Sequence, residues 1–361
     1  MKRPGNKLQK TLIVSLICSV CCSCFFSQTR AKPPSQPSSG PGSTAYAHTG
    51  LHKKEEGSGA YKYWLFTPAE PVPDQAPVIL FLHGWRAVDP RMYGAWIEHL
   101  VKRGNTVLFP RYQISGRDTG GTGTISGNSI HSLKSALQLL REAGPGPDMK
   151  RFAVIGHSAG GLAAANTAAA LPSHGLPFPR ALMCVQPGLE YTRSGRLLSP
   201  IQDLTNIPAT CLLLVVTGDI DETVGNTDAK KIFSRTAGIP EQNKDILMLV
   251  SDNHGDPVLA ADHSAPFAVT KIFDVSGPAE QANEEGCGED DERTAGPGKT
   301  FTFHPPNQID FALWRLFDAL TDAAFYGKNR EYALGGTDLQ RTMGTWSDGT
   351  PVKKLEGCGD E

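Results

Sequence analysis

Apolar residues along this chain fall into short, nearly unbroken runs. They occur at Val78-Ile79-Leu80-Phe81-Leu82, at Thr106-Val107-Leu108-Phe109 and at Phe152-Ala153-Val154-Ile155. They recur at Ala181-Leu182-Met183-Cys184-Val185, at Cys211-Leu212-Leu213-Leu214-Val215-Val216 and at Ile246-Leu247-Met248-Leu249-Val250. Runs of this length predict strands buried on both faces of a parallel sheet. Tyr61-Lys62-Tyr63-Trp64-Leu65-Phe66 alternates instead and predicts an early antiparallel strand. Helical spacing appears between the runs. Tyr93, Trp96 and Leu100 share one face of a stretch from Tyr93 to Arg103, which Gly104 caps. Further helices are expected over Ile130–Ala143, Leu162–Ala170, Asp228–Thr236 and Gln308–Tyr326. Thr67–Pro77, with four prolines, and the glycine-rich residues 115–128 read as loops. Strands alternating with helices predict an α/β fold, a mostly parallel central sheet with helices on both faces.

The two ends of the chain carry a different pattern. Lys2, Arg3, Lys7 and Lys10 precede an uncharged, mostly apolar run of 16 residues, Thr11 to Phe26. As a helix that run would reach only ~24 Å, short of a bilayer core of ~30 Å. Residues 1–31 therefore read as a signal peptide, and no membrane span is expected in the mature chain. Cys18, Cys21, Cys22 and Cys24 allow a lipoprotein form of that signal. Export, to a periplasm or beyond the cell, is the address expected. Residues 32–58, opening on Pro, Ser and Gly, read as a flexible tether, and 59–330 as the folded domain. Residues 277–300 read as an acidic, solvated loop and 331–361 as a polar tail.

Charge removes some functions. With 35 basic and 37 acidic side chains the net charge is −2, which gives no broad electrostatic case for nucleic acid. The glycine-rich stretch is not followed by Gly-Lys-Ser/Thr, so it is no phosphate cradle. The spacing of acids in 277–300 does not match an EF-hand. No metal or cofactor is expected.

The chemistry centres on Gly156-His157-Ser158-Ala159-Gly160-Gly161, set between the strand at 152–155 and the alanine-rich helix behind it. A G-x-S-x-G in that context holds a serine on a sharp turn, with a helix N-terminus to favour developing negative charge. A serine hydroxyl needs a base, and the base a carboxylate to orient it. Both should follow later strands, at their C-terminal ends. Asp221, in Gly218-Asp219-Ile220-Asp221, is preferred as the acid over Asp219, which reads as a turn cap. His254, four residues past Val250, is preferred as the base, with His263 as its rival. The backbone N–H groups of Ala159 and Trp85 are the expected oxyanion donors, Gly84 allowing close approach. The Trp85 ring serves equally as core packing or as a wall of the substrate site. His157 reads as a packing residue.

On these residues, Gly156 to Gly161, His83-Gly84-Trp85, Gly218 to Asp221 and His254, the chain resembles the α/β-hydrolases over roughly residues 60–325. Within them it is similar to the branch holding dienelactone hydrolases, polyester hydrolases and cutinases, chlorophyllases and platelet-activating-factor acetylhydrolases. Dienelactone hydrolases usually carry a Cys nucleophile where this chain has Ser158. Polyester hydrolases carry an aromatic soon after the base, where Gly255 follows His254. The resemblance implies a serine hydrolase that cleaves carboxylic esters, small-molecule or lipid-like, through an acyl-enzyme. A peptidase or amidase on the same scaffold, and a binding protein without catalysis, are the alternatives.

Four cysteines lie beyond the signal. Cys184 and Cys211 sit in apolar strands and read as small buried hydrophobes. Cys287 and Cys358 each sit in Glu-Gly-Cys-Gly, and an exported address permits a disulfide between them.

Overall fold

The computed structural model describes residues 1, 30–114, 121–191, 195, 197, 199–270 and 304–357. The chain divides into units 1–30 and 31–361, and the fold below belongs to the second. The expected signal run Thr11–Phe26, the acidic loop 277–300, Cys287 and Cys358 lie outside the described residues. Among the described residues no helix is long and apolar enough to cross a membrane.

Among the described residues a nine-stranded sheet carries the fold. In chain order its strands are β1 (Gly50–Glu56), β2 (Tyr63–Ala69), β3 (Gln75–Leu82), β4 (Thr106–Pro110), β5 (Gly146–His157), β6 (Ala181–Val185), β7 (Leu212–Gly218), β8 (Lys244–Leu249) and β9 (Glu356–Gly357). Across the sheet the order is β1-β2-β4-β3-β5-β6-β7-β8-β9. The six strands from β4 to β8 run parallel, and β1, β2 and β9 pair antiparallel at the edges. The C-terminal ends of β3 to β8 therefore share one edge, where a site in such a sheet belongs.

Each central strand is apolar on both faces because both faces are covered. Phe81, Phe109, Ile155, Met183 and Val216 face α1 (Gly94–Lys102) and α5 (Gln308–Tyr326). Leu80, Leu108, Val154, Leu182 and Val215 face α2 (Gly121–Ala143), α3 (Ala159–Ala170) and α4 (Thr227–Arg235). The expected fold, mostly parallel with helices on both sides, is the fold observed. Cys184 and Cys211 are buried free thiols, and burial pushes Cys211 up to about 12.

Several boundaries differ from the sequence reading. Helix α2 begins at Gly121, inside the stretch read as a loop from its glycines. Strand β2 runs on through Pro68 to Ala69, past Phe66, the last residue paired with β4, so the proline is flanked by β1 alone and one side can spare an N–H. Residues 32–58 are no tether. Their last part is β1, a strand whose Leu-His-Lys-Lys-Glu-Glu gives little apolar signal because it lies at the sheet edge. Their first part is laid on the body by polar contacts. Lys32 N–H donates to Ser347 Oγ at 2.9 Å, and Gly42 N–H to the buried Asp318 carboxylate at 2.7 Å. Burial alone would raise the Asp318 carboxyl, but His99, Arg103 and the Gly42 N–H hold it below the usual range.

The tail is likewise part of the domain. Met343, Trp346, Val352 and Leu355 are buried, a short helix α6 (Asp338–Arg341) precedes them, and β9 pairs with Leu247 and Met248 of β8. The polar composition of 331–361 hides these four anchors, which have no regular period. Trp346 is 2% exposed, and its Nε1–H donates to Asp252 Oδ2 at 3.1 Å. Trp346→Ala is expected to cost about 3–5 kcal/mol of stability, read from chemical denaturation. A loss below 1 kcal/mol would return the tail to the status of an appendage.

Candidate active site

The turn between β5 and α3 places Ser158 at φ 57°, ψ −125°, a conformation costly for a side-chain-bearing residue. Its neighbours must be glycine because backbone fills the space where their side chains would be. A Cβ on Gly156 would lie 2.0 Å from the Gly160 carbonyl oxygen. A Cβ on Gly160 would lie 2.2 Å from the His83 oxygen and 2.3 Å from that of Leu82. The turn is thus locked against the end of β3.

Ser158 Oγ meets an imidazole, and it is that of His263. His263 Nε2 lies 2.8 Å from Ser158 Oγ, and His263 Nδ1 lies 2.8 Å from Asp221 Oδ2. A carboxylate only accepts, so Nδ1 carries the ring proton and Nε2 is free to accept from the serine. The Asp221 side chain is fully buried, and its Oδ1 takes the N–H groups of Thr223 at 3.0 Å and Val224 at 3.2 Å. Asp219 is occupied elsewhere: it accepts from the N–H and hydroxyl of Ser251 at 2.8 and 2.6 Å.

The expectation that His254 is the base is corrected. Its Nε2 pairs with Asp348 Oδ2 at 2.7 Å, the side chain is 37% exposed, and its ring lies against Trp346. The loop after β8 explains the error. Asp252 and Leu259 exchange both backbone hydrogen bonds at 2.8 Å, so the chain doubles back before reaching the site. Proximity to the strand end in sequence selects His254; the doubling back delivers His263. The absence of an aromatic after His254 loses its meaning with it.

The two expected oxyanion donors sit where the turn and the end of β3 meet. A Cβ on Gly84 would lie 3.3 Å from Ser158 Cβ, so Gly84 brings Trp85 close to the nucleophile. The Gly84 N–H itself is taken by the Tyr93 hydroxyl at 2.8 Å. Neither Trp85 N–H nor Ala159 N–H donates to an acceptor among the described residues. The Trp85 ring is half-buried against the α2–α3 face of the core. His83 anchors the loop, with both ring nitrogens 2.6 Å from carbonyl oxygens, those of Gly84 and Arg111, and its ring stacked on Tyr112 at 3.9 Å. Burial pushes its imidazole down to about 4, so the ring is neutral and donates to one of the two. His157 is buried, as a packing residue would be.

A model of the chlorophyllase family matches residues 43–233, more than half of the 361 residues. The chain belongs to the chlorophyllase family. Membership makes it an α/β-hydrolase acting on esters. The match spans Ser158 and Asp221 and ends before His263. No curated protein sequence matches the chain.

The tight turn has a direct consequence. Gly160→Ala forces a methyl group onto two backbone carbonyls, which no side-chain rotation relieves. It is expected to lower the melting temperature and abolish labelling of Ser158 by a fluorophosphonate. Wild-type labelling in this variant would mean the turn is looser than the structure shows.

Proposed function

We propose that this protein cleaves carboxylic esters through an acyl-enzyme on Ser158, with His263 as base, Asp221 as its orienting carboxylate, and the Trp85 and Ala159 N–H groups as oxyanion donors. The observation that carries this reading is the pair of 2.8 Å contacts joining Ser158, His263 and Asp221. Ser158 Oγ attacks the ester carbonyl carbon while its proton passes to His263 Nε2. Asp221, buried against the ring, stabilises the imidazolium that results. The tetrahedral oxyanion faces the two N–H groups, each worth about 10²–10³ in rate in comparable sites. The carbon–oxygen bond to the alcohol then breaks, and the alkoxide leaves with the proton from His263. Water repeats the sequence on the acyl-enzyme and releases the acid.

The substrate is proposed to be apolar and lipid-like. Supporting this, Ile114, Tyr191 and Ile220, on loops after β4, β6 and β7, are each about half exposed. All three loops leave the edge of the sheet at which Ser158 lies, so large apolar side chains reach solvent on that side. An apolar acyl or alcohol group would cover them and gain roughly 25 cal/mol per Å² buried. The basic-then-apolar N-terminus supports export as the address.

Ser158→Ala and His263→Ala are each expected to lower kcat on a p-nitrophenyl ester by about 10⁴-fold or more, and Asp221→Asn by about 10⁴-fold. His254→Ala should stay within twofold of wild type. Collapse of activity in His254→Ala, with His263→Ala active, would reject the assignment of the base. Across p-nitrophenyl esters from acetate to octanoate, kcat/KM is expected to rise with chain length, and aminoacyl anilides should not be turned over. A flat or falling series would reject the lipid-like substrate.

A further inference from the structure

Buried polar groups lie behind the nucleophile, from the loop after β3 to His157 and again from Gln186 to the loop that carries His263. The first set starts at Gly84, whose N–H donates to the Tyr93 hydroxyl at 2.8 Å. The proton of that hydroxyl has His157 Nδ1 as its acceptor, 3.0 Å away. His157 therefore carries its ring proton on Nε2. Burial holds this imidazole well below the ordinary histidine range, with nearby His263 adding to the effect, so it is neutral. Its Nε2 is buried without a hydrogen-bond partner, and so is Oε1 of Gln186; the His263 backbone and the Gln186 side chain both lie beside the ring. These two orphaned atoms are complementary, one a donor and the other an acceptor.

The other end of the Gln186 carboxamide is engaged. Gln186 Nε2–H donates to the carbonyl of Asp262 at 2.7 Å, one residue before His263. Gln186 is fully buried and sits at φ 43°, a conformation that a side-chain-bearing residue adopts only when its surroundings impose it. Its own N–H is fixed to the Val216 carbonyl at 2.6 Å. Room for the amide is left by Gly218, where a Cβ would come 2.8 Å from Gln186 Nε2 and 2.0 Å from the Ala261 oxygen. An apolar side chain would fill this volume as well. The carboxamide supplies what an apolar side chain cannot, a donor to the Asp262 carbonyl.

We propose that Gln186 is a positioning residue for His263: its amide donates to the Asp262 carbonyl and so sets the imidazole between Ser158 and Asp221. The inference rests on the proposed role of His263. A base displaced by a fraction of an ångström loses rate without losing substrate affinity.

The test is Gln186→Met, close in volume but unable to donate or accept through an amide, assayed on a p-nitrophenyl ester beside His263→Ala. The expected result is a fall in kcat of about tenfold, the effect of one alignment-setting hydrogen bond, with KM within twofold. In the His263→Ala background the same substitution should change the residual rate less than twofold, since no base is left to align. A kcat within twofold of wild type, a loss carried by KM, or an equal loss in the His263→Ala background overturns the proposal. If Gln186→Met does not fold, Gln186→Leu decides, an apolar side chain that also lacks the donor to the Asp262 carbonyl. It should lower kcat about fivefold at unchanged KM, and an unchanged kcat overturns the proposal. Retained activity in His263→Ala would instead reject the reading on which the inference stands.

Discussion

The contact between the nucleophile turn and the end of β3 is the constraint on which the site depends. Backbone meets backbone there, with a Cβ on Gly160 excluded by the His83 and Leu82 carbonyls and one on Gly156 excluded by Gly160 itself. No side chain separates the strand that carries the serine from the strand that leads to Trp85. That closeness places two backbone donors near one hydroxyl, and it forces Ser158 into the positive-φ conformation that turns the hydroxyl outward. The parallel sheet bears the strain. Both strands are central, hydrogen-bonded on each side and covered on both faces, so the turn cannot relax by moving either one.

Much of this is legible in the sequence because a central parallel strand has to be apolar throughout. The runs at 78–82, 106–109, 152–155, 181–185 and 211–216 could hardly be anything else, and the glycines around Ser158 mark the turn. What escapes is whatever the apolar pattern does not control. β1 is charged because it is an edge. α2 opens on glycines that turn statistics assign to a loop, yet it packs Ile125 into the core. The strap from Ala31 to Thr49 is held by polar contacts to groups distant in sequence. Gln186 and Tyr93 carry no signal beyond their residue types, since their partners are brought to them only by the fold.

The misplaced base belongs to the same class of error. Both histidines follow the last parallel strand, and both sit in polar, turn-forming surroundings. Distance along the chain favours His254; distance in space favours His263. The deciding element is the pairing of Asp252 with Leu259, two backbone hydrogen bonds that no residue type announces.

That doubled-back loop has its own work, and it excludes His254 from the site. Gly255 lies so close to both ends of the domain that a Cβ there would sit 2.2 Å from the Ala31 oxygen and 2.2 Å from the Trp346 ring. Asp256 N–H donates to the Ala31 carbonyl at 2.9 Å, and Ser347 N–H to that of Lys32 at 3.0 Å. Asp252 accepts from Trp346, from the Lys353 N–H and from the His254 N–H, which hold its carboxyl below the usual range against the opposing effect of burial. The segment from Ser251 to Leu259 therefore clasps the beginning and the end of the domain. A histidine in it is turned toward the tail, where it meets Asp348. Only after the clasp is complete, past Ala261, does the chain return to the sheet edge, and the first histidine it then presents is His263. Loop length between the last strand and the base is thus set by the docking of Ala31 and Trp346, and the reactive geometry follows from a contact that serves the fold.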